Sequence, residues 1–92
     1  MSNEQILHKT VFIKNELGLH ARSAAQIAKI AKKSTGNVWV MKSEEKADAS
    51  SIMDILTLVC GKGTKIRIII EDPGDTDILN AIVDLVDNGF GE

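Results

Sequence analysis

The chain has 92 residues, 43% hydrophobic and 26% charged with both signs interspersed, which predicts one folded domain over 1–92 and excludes a disordered or low-complexity segment. A formal net charge of -2 and a pI near 5.6 give no overall pull toward a polyanion, so neither nucleic acid nor an anionic membrane is an expected partner. The single cysteine, Cys60, cannot form an internal disulfide, the stretch MSNEQILHKT lacks the pattern of a secretory signal, and no apolar run approaches the roughly 20 residues a bilayer demands, so a cytoplasmic protein is expected.

Leu7 to Lys14 is rich in β-branched and aromatic residues and reads as a first strand, with His8 an ordinary strand residue. Asn15-Glu16-Leu17-Gly18 turns the chain. From Ala21 to Lys33, apolar residues at 21, 24, 25, 27, 28 and 31 recur at helical period, with Gly36 the expected C-cap. The alanine-rich stripe lets this helix lie close against what it covers, while Arg22, Gln26, Lys29 and Lys33 line a basic face. Val38 to Met41 reads as a second strand and Lys46 to Ala49 as a short third one.

Ser50-Ser51 opens a second helix, with Ser51 and Asp54 spaced as a capping pair and Gly61 and Gly63 ending it. Along it Ile55, Leu58 and Val59 can point inward, while Ile52, Met53 and Leu56 form a second arc that is either buried too or a docking patch. Thr64 to Glu71 alternates isoleucines with Lys65 and Arg67 as a strand with one wet face, and Asp72-Pro73-Gly74-Asp75 is a turn. Asp75 or Thr76 can cap a last helix carrying Ile78, Leu79, Ile82, Val83, Leu85 and Val86, stopped by Asn88-Gly89. Trp39 and Met41 read as core or sheet face and Cys60 as a small buried residue. The order βαββαβα predicts an α+β open-faced β-sandwich, a four-stranded antiparallel sheet covered on one face by three helices.

His20 stands just before the helix that begins at Ala21, where unpaired backbone N–H groups and the helix dipole favour an anion. Arg22 offers a permanently charged donor set for phosphate oxygens, and imidazole is a competent nucleophile near neutral pH. On its own the histidine also reads as a polar N-cap beside a surface arginine. No glycine-rich nucleotide loop, acid–base pair or metal-spaced cluster accompanies it, which speaks against an independent enzyme and against a metal or other cofactor.

The stretch Gly18-Leu19-His20-Ala21-Arg22-Ser23-Ala24-Ala25 closely resembles the active-site segment of the HPr family, the phosphocarriers of the bacterial phosphotransferase system. Ser51-Ile52-Met53 stands where that family has its regulatory serine and the hydrophobic residues after it, and Gly61-Lys62-Gly63 precedes the last strand as in the family. The resemblance implies a stoichiometric phosphoryl carrier: His20 takes a phosphoryl group from enzyme I, itself charged by phosphoenolpyruvate, and passes it to an enzyme IIA protein. It further implies phosphate stabilisation by Gly18, Ala21 and Arg22, docking through Ala25, Gln26, Lys29, Ile52, Met53 and Leu56, a serine kinase or phosphorylase acting on Ser51, and a monomer without cofactor. As an N-cap, Ser51 is worth about 1 kcal/mol whatever else it does.

Asn15 to Gly18 and Asn88-Gly89-Phe90-Gly91 resemble the nitrogen-related branch of the family, so sugar transport and nitrogen-related regulation both stay open. Ser23 replaces the proline usual after the arginine, which predicts a looser first helical turn. Leu17 lacks the small polar side chain often found before the glycine, which implies one phosphate contact fewer, and Asp54 would repel an acidic partner surface. Two other readings are a regulatory module that binds a transcription factor or kinase through Ile52, Met53 and Leu56 and, ranked last, a small-molecule sensor anchored at residues 18–22.

Overall fold

The computed structural model describes residues 7–92; residues 1–6, part of the stretch searched for a secretory signal, lie outside the described residues. Strand β1 (Leu7–Phe12) precedes helix α1 (Ala21–Ala31), strands β2 (Val38–Lys42) and β3 (Glu45–Asp48), helix α2 (Ile52–Leu56), strand β4 (Lys65–Ile70) and helix α3 (Thr76–Asp87). Short 3-10 turns, Pro73–Asp75 and Gly89–Gly91, flank α3. The four strands form one antiparallel sheet in the order β1-β4-β2-β3, the expected open-faced sandwich.

Period-two alternation decides which way the sheet faces. On β4, Ile66, Ile68 and Ile70 are buried under the helices, with Val11 of β1 opposite Ile66 and Val40 of β2 opposite Ile68. The intervening residues occupy the open face with Trp39 and Met41. There the Trp39 Nε1–H donates to Glu71 at 2.7 Å, and the Lys46 ammonium lies 4.2 Å from the indole centroid. Helix α1 presses Ala24, Ile27, Ala28 and Ala31 into the core, with Leu79, Ile82 and Val86 of α3 beside them. Small side chains on α1 bring its backbone, and so its N-terminus, close to the loops at the end of the sheet.

Four local expectations are corrected. Helix α1 stops at Ala31, and Gly36 is no left-handed cap. The Thr35 and Gly36 N–H groups instead each donate to the Asp75 carboxylate at 2.8 Å. A Cβ on Gly36 would come within 2.9 Å of the Asp72 Cβ. Asp75 therefore makes no side-chain cap on α3; its buried charge is satisfied across the fold, as burial requires.

Helix α2 ends at Leu56 and does not reach Gly61, because Leu58 N–H and Val59 N–H bond back to Ile55 and Leu56 carbonyls in tight turns. Val59, expected inward, then takes φ 53° and is 75% exposed, since the reversal swings it away from the helix line. Cys60 is buried as expected, and desolvation raises its thiol pKa, which leaves it an inert filler.

Candidate functional site

Two loops converge at the start of α1. Gly18 adopts φ +68°, and a Cβ there would lie 2.3 Å from the Cys60 carbonyl oxygen. Only glycine lets the 15–19 turn approach the chain at Cys60 this closely. The contact is secured by Leu19 N–H donating to the Cys60 carbonyl at 2.8 Å, and Lys62 and Glu16 form an ion pair across the same pair of loops. The Lys62 hydrogen bond, ahead of its Coulomb attraction, holds the Glu16 carboxyl below its ordinary range.

His20 emerges from this turn as the N-cap of α1, in extended conformation. Its Nδ1 accepts a hydrogen bond from the Arg22 backbone N–H at 3.3 Å, so the lone pair of that nitrogen points toward the helix N-terminus. A nitrogen that accepts carries no proton; the proton then resides on Nε2. The first turn of α1 contains no acidic residue, and Lys29 sits in its last turn. The dipole at the N-terminus is thus unopposed by a side-chain carboxylate on the helix itself.

Ser23 does not loosen the first turn. Its hydroxyl accepts from His20 N–H at 2.9 Å and lies within hydrogen-bonding distance of the Gly18 carbonyl, 3.1 Å away, completing a capping box with His20. The residue is fully buried, so the serine locks turn and helix together where proline would only restrict φ. Gly18 N–H is engaged by the Asn15 carbonyl at 3.2 Å; this glycine supports the site through the turn it makes.

One residue of the site was missed in the sequence. Glu92, following the Gly89–Gly91 turn, places Oε2 2.5 Å from His20 Nε2, and its Oε1 accepts from Asn15 Nδ2 at 3.0 Å. Asn15 is buried, and the same amide nitrogen donates to the Gly18 carbonyl at 2.8 Å. Hydrogen bonds from Asn15, then from His20, hold the Glu92 carboxyl below its ordinary range. The carboxylate therefore keeps its grip at neutral pH and releases it only as pH falls through that lowered value. The signal available in the sequence was the run Gly89-Phe90-Gly91, an aromatic residue between glycines: Phe90 is buried in a left-handed conformation, φ 59°, and anchors the turn that carries Glu92.

The remaining expected residues divide by distance from this centre. Arg22 is exposed beside His20, and with Gln26, Leu17, Phe90 and Glu92 it lines a groove of about 390 Å³. Ala25 and Gln26 are half-buried and Lys29 exposed along α1. On α2, Met53 is 75% exposed, whereas Ile52 and Leu56 are half-buried against the core, so the second arc is neither wholly buried nor wholly open. Ser51 caps α2 by accepting from Asp54 N–H at 3.2 Å. The Asp54 carboxylate turns instead to Asp48 N–H at 3.1 Å, so the expected pair is only half made. Among the described residues no group of histidine, cysteine and carboxylate side chains has metal-binding geometry, and no helix is long and apolar enough to cross a membrane.

Fold and site together define a small α+β domain that presents one imidazole at a helix start. A family model for the HPr component phosphorylation site of the phosphotransferase system matches residues 7–88. The chain is 39% identical over 83 residues to the phosphocarrier protein HPr of Pseudomonas aeruginosa, covering 89% of this chain and 92% of that one. It is 36% identical over 86 residues to the phosphocarrier protein NPr of Shewanella violacea, covering 94% of each. A crystal structure of HPr from Thermoanaerobacter tengcongensis superposes with a TM-score of 0.87 at 37% identity, covering 94% of this chain and 97% of that one. The chain belongs to the HPr family, the phosphocarriers of the phosphotransferase system.

Proposed function

We propose that His20 is the residue phosphorylated in this carrier, on Nδ1, by phosphoenolpyruvate-charged enzyme I, and that it passes the phosphoryl group to an enzyme IIA protein. One observation carries the reading: the Nδ1 lone pair is aimed at the first turn of α1. A phosphoryl group on that nitrogen takes over the Arg22 N–H, gains the Ala21 N–H and the helix dipole, and meets the Arg22 guanidinium. The chain acts stoichiometrically, as a single cytoplasmic domain and a monomer without cofactor, because the donor and the acceptor each bring their own reactive group.

Docking uses the basic side of α1, through Ala25, Gln26 and Lys29, and the neighbouring surface of α2, through Met53 with the exposed parts of Ile52 and Leu56. Phosphorylation of Ser51 by a serine kinase, reversed by a phosphorylase, would place about two negative charges on that surface and slow transfer. Incubation with phosphoenolpyruvate and enzyme I tests the reading. Intact mass should rise by one phosphoryl group, and acid should remove it, as phosphohistidine is acid-labile and phosphoserine is not. An acid-stable product, or one retained by His20→Ala, would sink the assignment.

A further inference from the structure

We infer that Glu92 is a positioning residue for His20: it holds the Nε2 proton, fixes the plane of the ring, and offsets the positive charge the imidazole gains when Nδ1 is phosphorylated. The inference rests on the assignment of His20 as the phosphoryl acceptor and adds to it a carboxyl group supplied by the chain after α3.

The geometry comes from both ends of the imidazole. Arg22 N–H donates to Nδ1 and Glu92 Oε2 stands 2.5 Å from Nε2, so only the tautomer with the proton on Nε2 satisfies both contacts. The His20 and Glu92 side chains are only 27% and 18% exposed, which limits how far water can replace the contact.

Glu92 is itself held. Asn15 donates to its Oε1 and to the Gly18 carbonyl, and a flipped amide would turn its oxygen toward both acceptors, so this orientation is fixed by the network. The Asn15 Oδ1 is buried without a hydrogen-bond partner. An orphaned buried acceptor is a cost, and here it accompanies an amide committed to aligning Glu92. Phe90 adds a further cost, a non-glycine residue in left-handed conformation, at the turn that delivers Glu92.

The transfer step balances without moving a proton. The Nδ1 lone pair forms the N–P bond while the bond between phosphorus and the donor breaks, its electron pair leaving on the donor. Nε2 keeps its hydrogen, so the ring becomes a phosphorylated imidazolium, and its positive charge faces the Glu92 carboxylate. Among the described residues Arg22 lines the same groove as Glu92, and it serves the phosphoryl oxygens.

The test compares wild type with Glu92→Ala, Glu92→Gln and Asn15→Ala in two measurements: the rate of phosphoryl acceptance from enzyme I, and the proton NMR signal of the His20 Nε2–H. Wild type should show a low-field, exchange-protected imidazole N–H. Glu92→Ala should lose that signal and accept phosphate roughly 10- to 100-fold more slowly, by analogy with the loss seen when the partner that orients a metal-bound imidazole is removed. Glu92→Gln, which keeps an acceptor but not the charge, should fall between, and Asn15→Ala should weaken the signal. A Glu92→Ala protein phosphorylated on His20 at the wild-type rate would overturn the inference. So would an unchanged N–H signal in that variant. If wild type takes no phosphate on His20 at all, the functional assignment itself fails, an outcome distinct from a working carrier indifferent to Glu92.

Discussion

Helices α1 and α2 both begin at a polar N-cap, yet the two starts are built to different standards. His20 caps an 11-residue helix with a complete box through Ser23, is braced by Glu92 from behind, and sits on a turn pinned by Gly18 to Cys60. Ser51 caps a five-residue helix through one bond at 3.2 Å, with an acidic residue in the first turn. Position in the fold does not make an anion site. Long, rigidly held and without an acidic residue in its own first turn, the α1 start can stabilise a phosphoryl group; the short α2 start, which carries Asp54 in its first turn, is suited to presenting Met53.

Removing the two caps should therefore have opposite signatures. His20→Ala should abolish acid-labile phosphorylation while costing the fold only about 1 kcal/mol, the worth of an N-cap, as measured by mass spectrometry and urea unfolding. Ser51→Ala should lose about the same stability and keep normal transfer. If both variants carried phosphate equally well, the contrast between the two starts would collapse.

Next in size is Arg22→Ala, which removes a charge-assisted contact to the phosphoryl group worth on the order of 1.5–3 kcal/mol. Transfer should slow roughly 10- to 150-fold by the same conversion. The wild-type rate should also fall as salt is added, because Arg22 and Lys29 present a basic face to an acidic partner. A rate indifferent to ionic strength would remove electrostatics from docking.

His20 and the α1 start were legible in the sequence because every contributing feature is local: the Gly18 turn, the helical stripe from Ala21 and the arginine two residues on. Strand β4 was legible for the same reason, its isoleucines alternating at period two. What stayed hidden depends on chain crossings that no local pattern encodes. Glu92 meets His20 across 72 positions, and Asp75 meets Thr35 and Gly36 across 40 and 39. Asp75 looked like a helix cap because the local grammar of caps is correct there; a distant pair of backbone N–H groups outcompeted it. The Ser23 exchange misled in the same way, since its value lies in hydrogen bonds to Gly18 and His20 and not in its helix propensity.

A smaller effect separates the two starts further. Ser51→Asp places a charge beside Asp54 and Met53 on the exposed α2 surface, where like-charge interactions amount to about 0.2–1 kcal/mol. Transfer from enzyme I should slow by up to about fivefold at low salt and recover as salt is added. Equal rates for Ser51→Asp and wild type at low salt would place Ser51 outside the docking surface and leave it a cap alone.

The smallest expected effect concerns how the helices end. Helix α1 runs out in right-handed conformation at Lys32, whereas the turn after α2 forces Val59 to φ 53°. A β-branched side chain there crowds its own backbone at a cost of roughly 1–2 kcal/mol. Glycine removes that strain but gives the unfolded chain extra freedom worth roughly 0.5–1 kcal/mol. Because the side chain is 75% exposed, its loss forfeits little packing. Val59→Gly should therefore be more stable than wild type by about 0.5 kcal/mol, seen as a higher urea midpoint at unchanged slope. The corresponding change at the C-cap of α1, Lys32→Gly, relieves no strain and should destabilise by roughly 0.5–1 kcal/mol through the extra freedom it gives the unfolded chain. A destabilised Val59→Gly protein would mean that the valine packs against the loop at Cys60, and that both helices end in conformations their sequences favour.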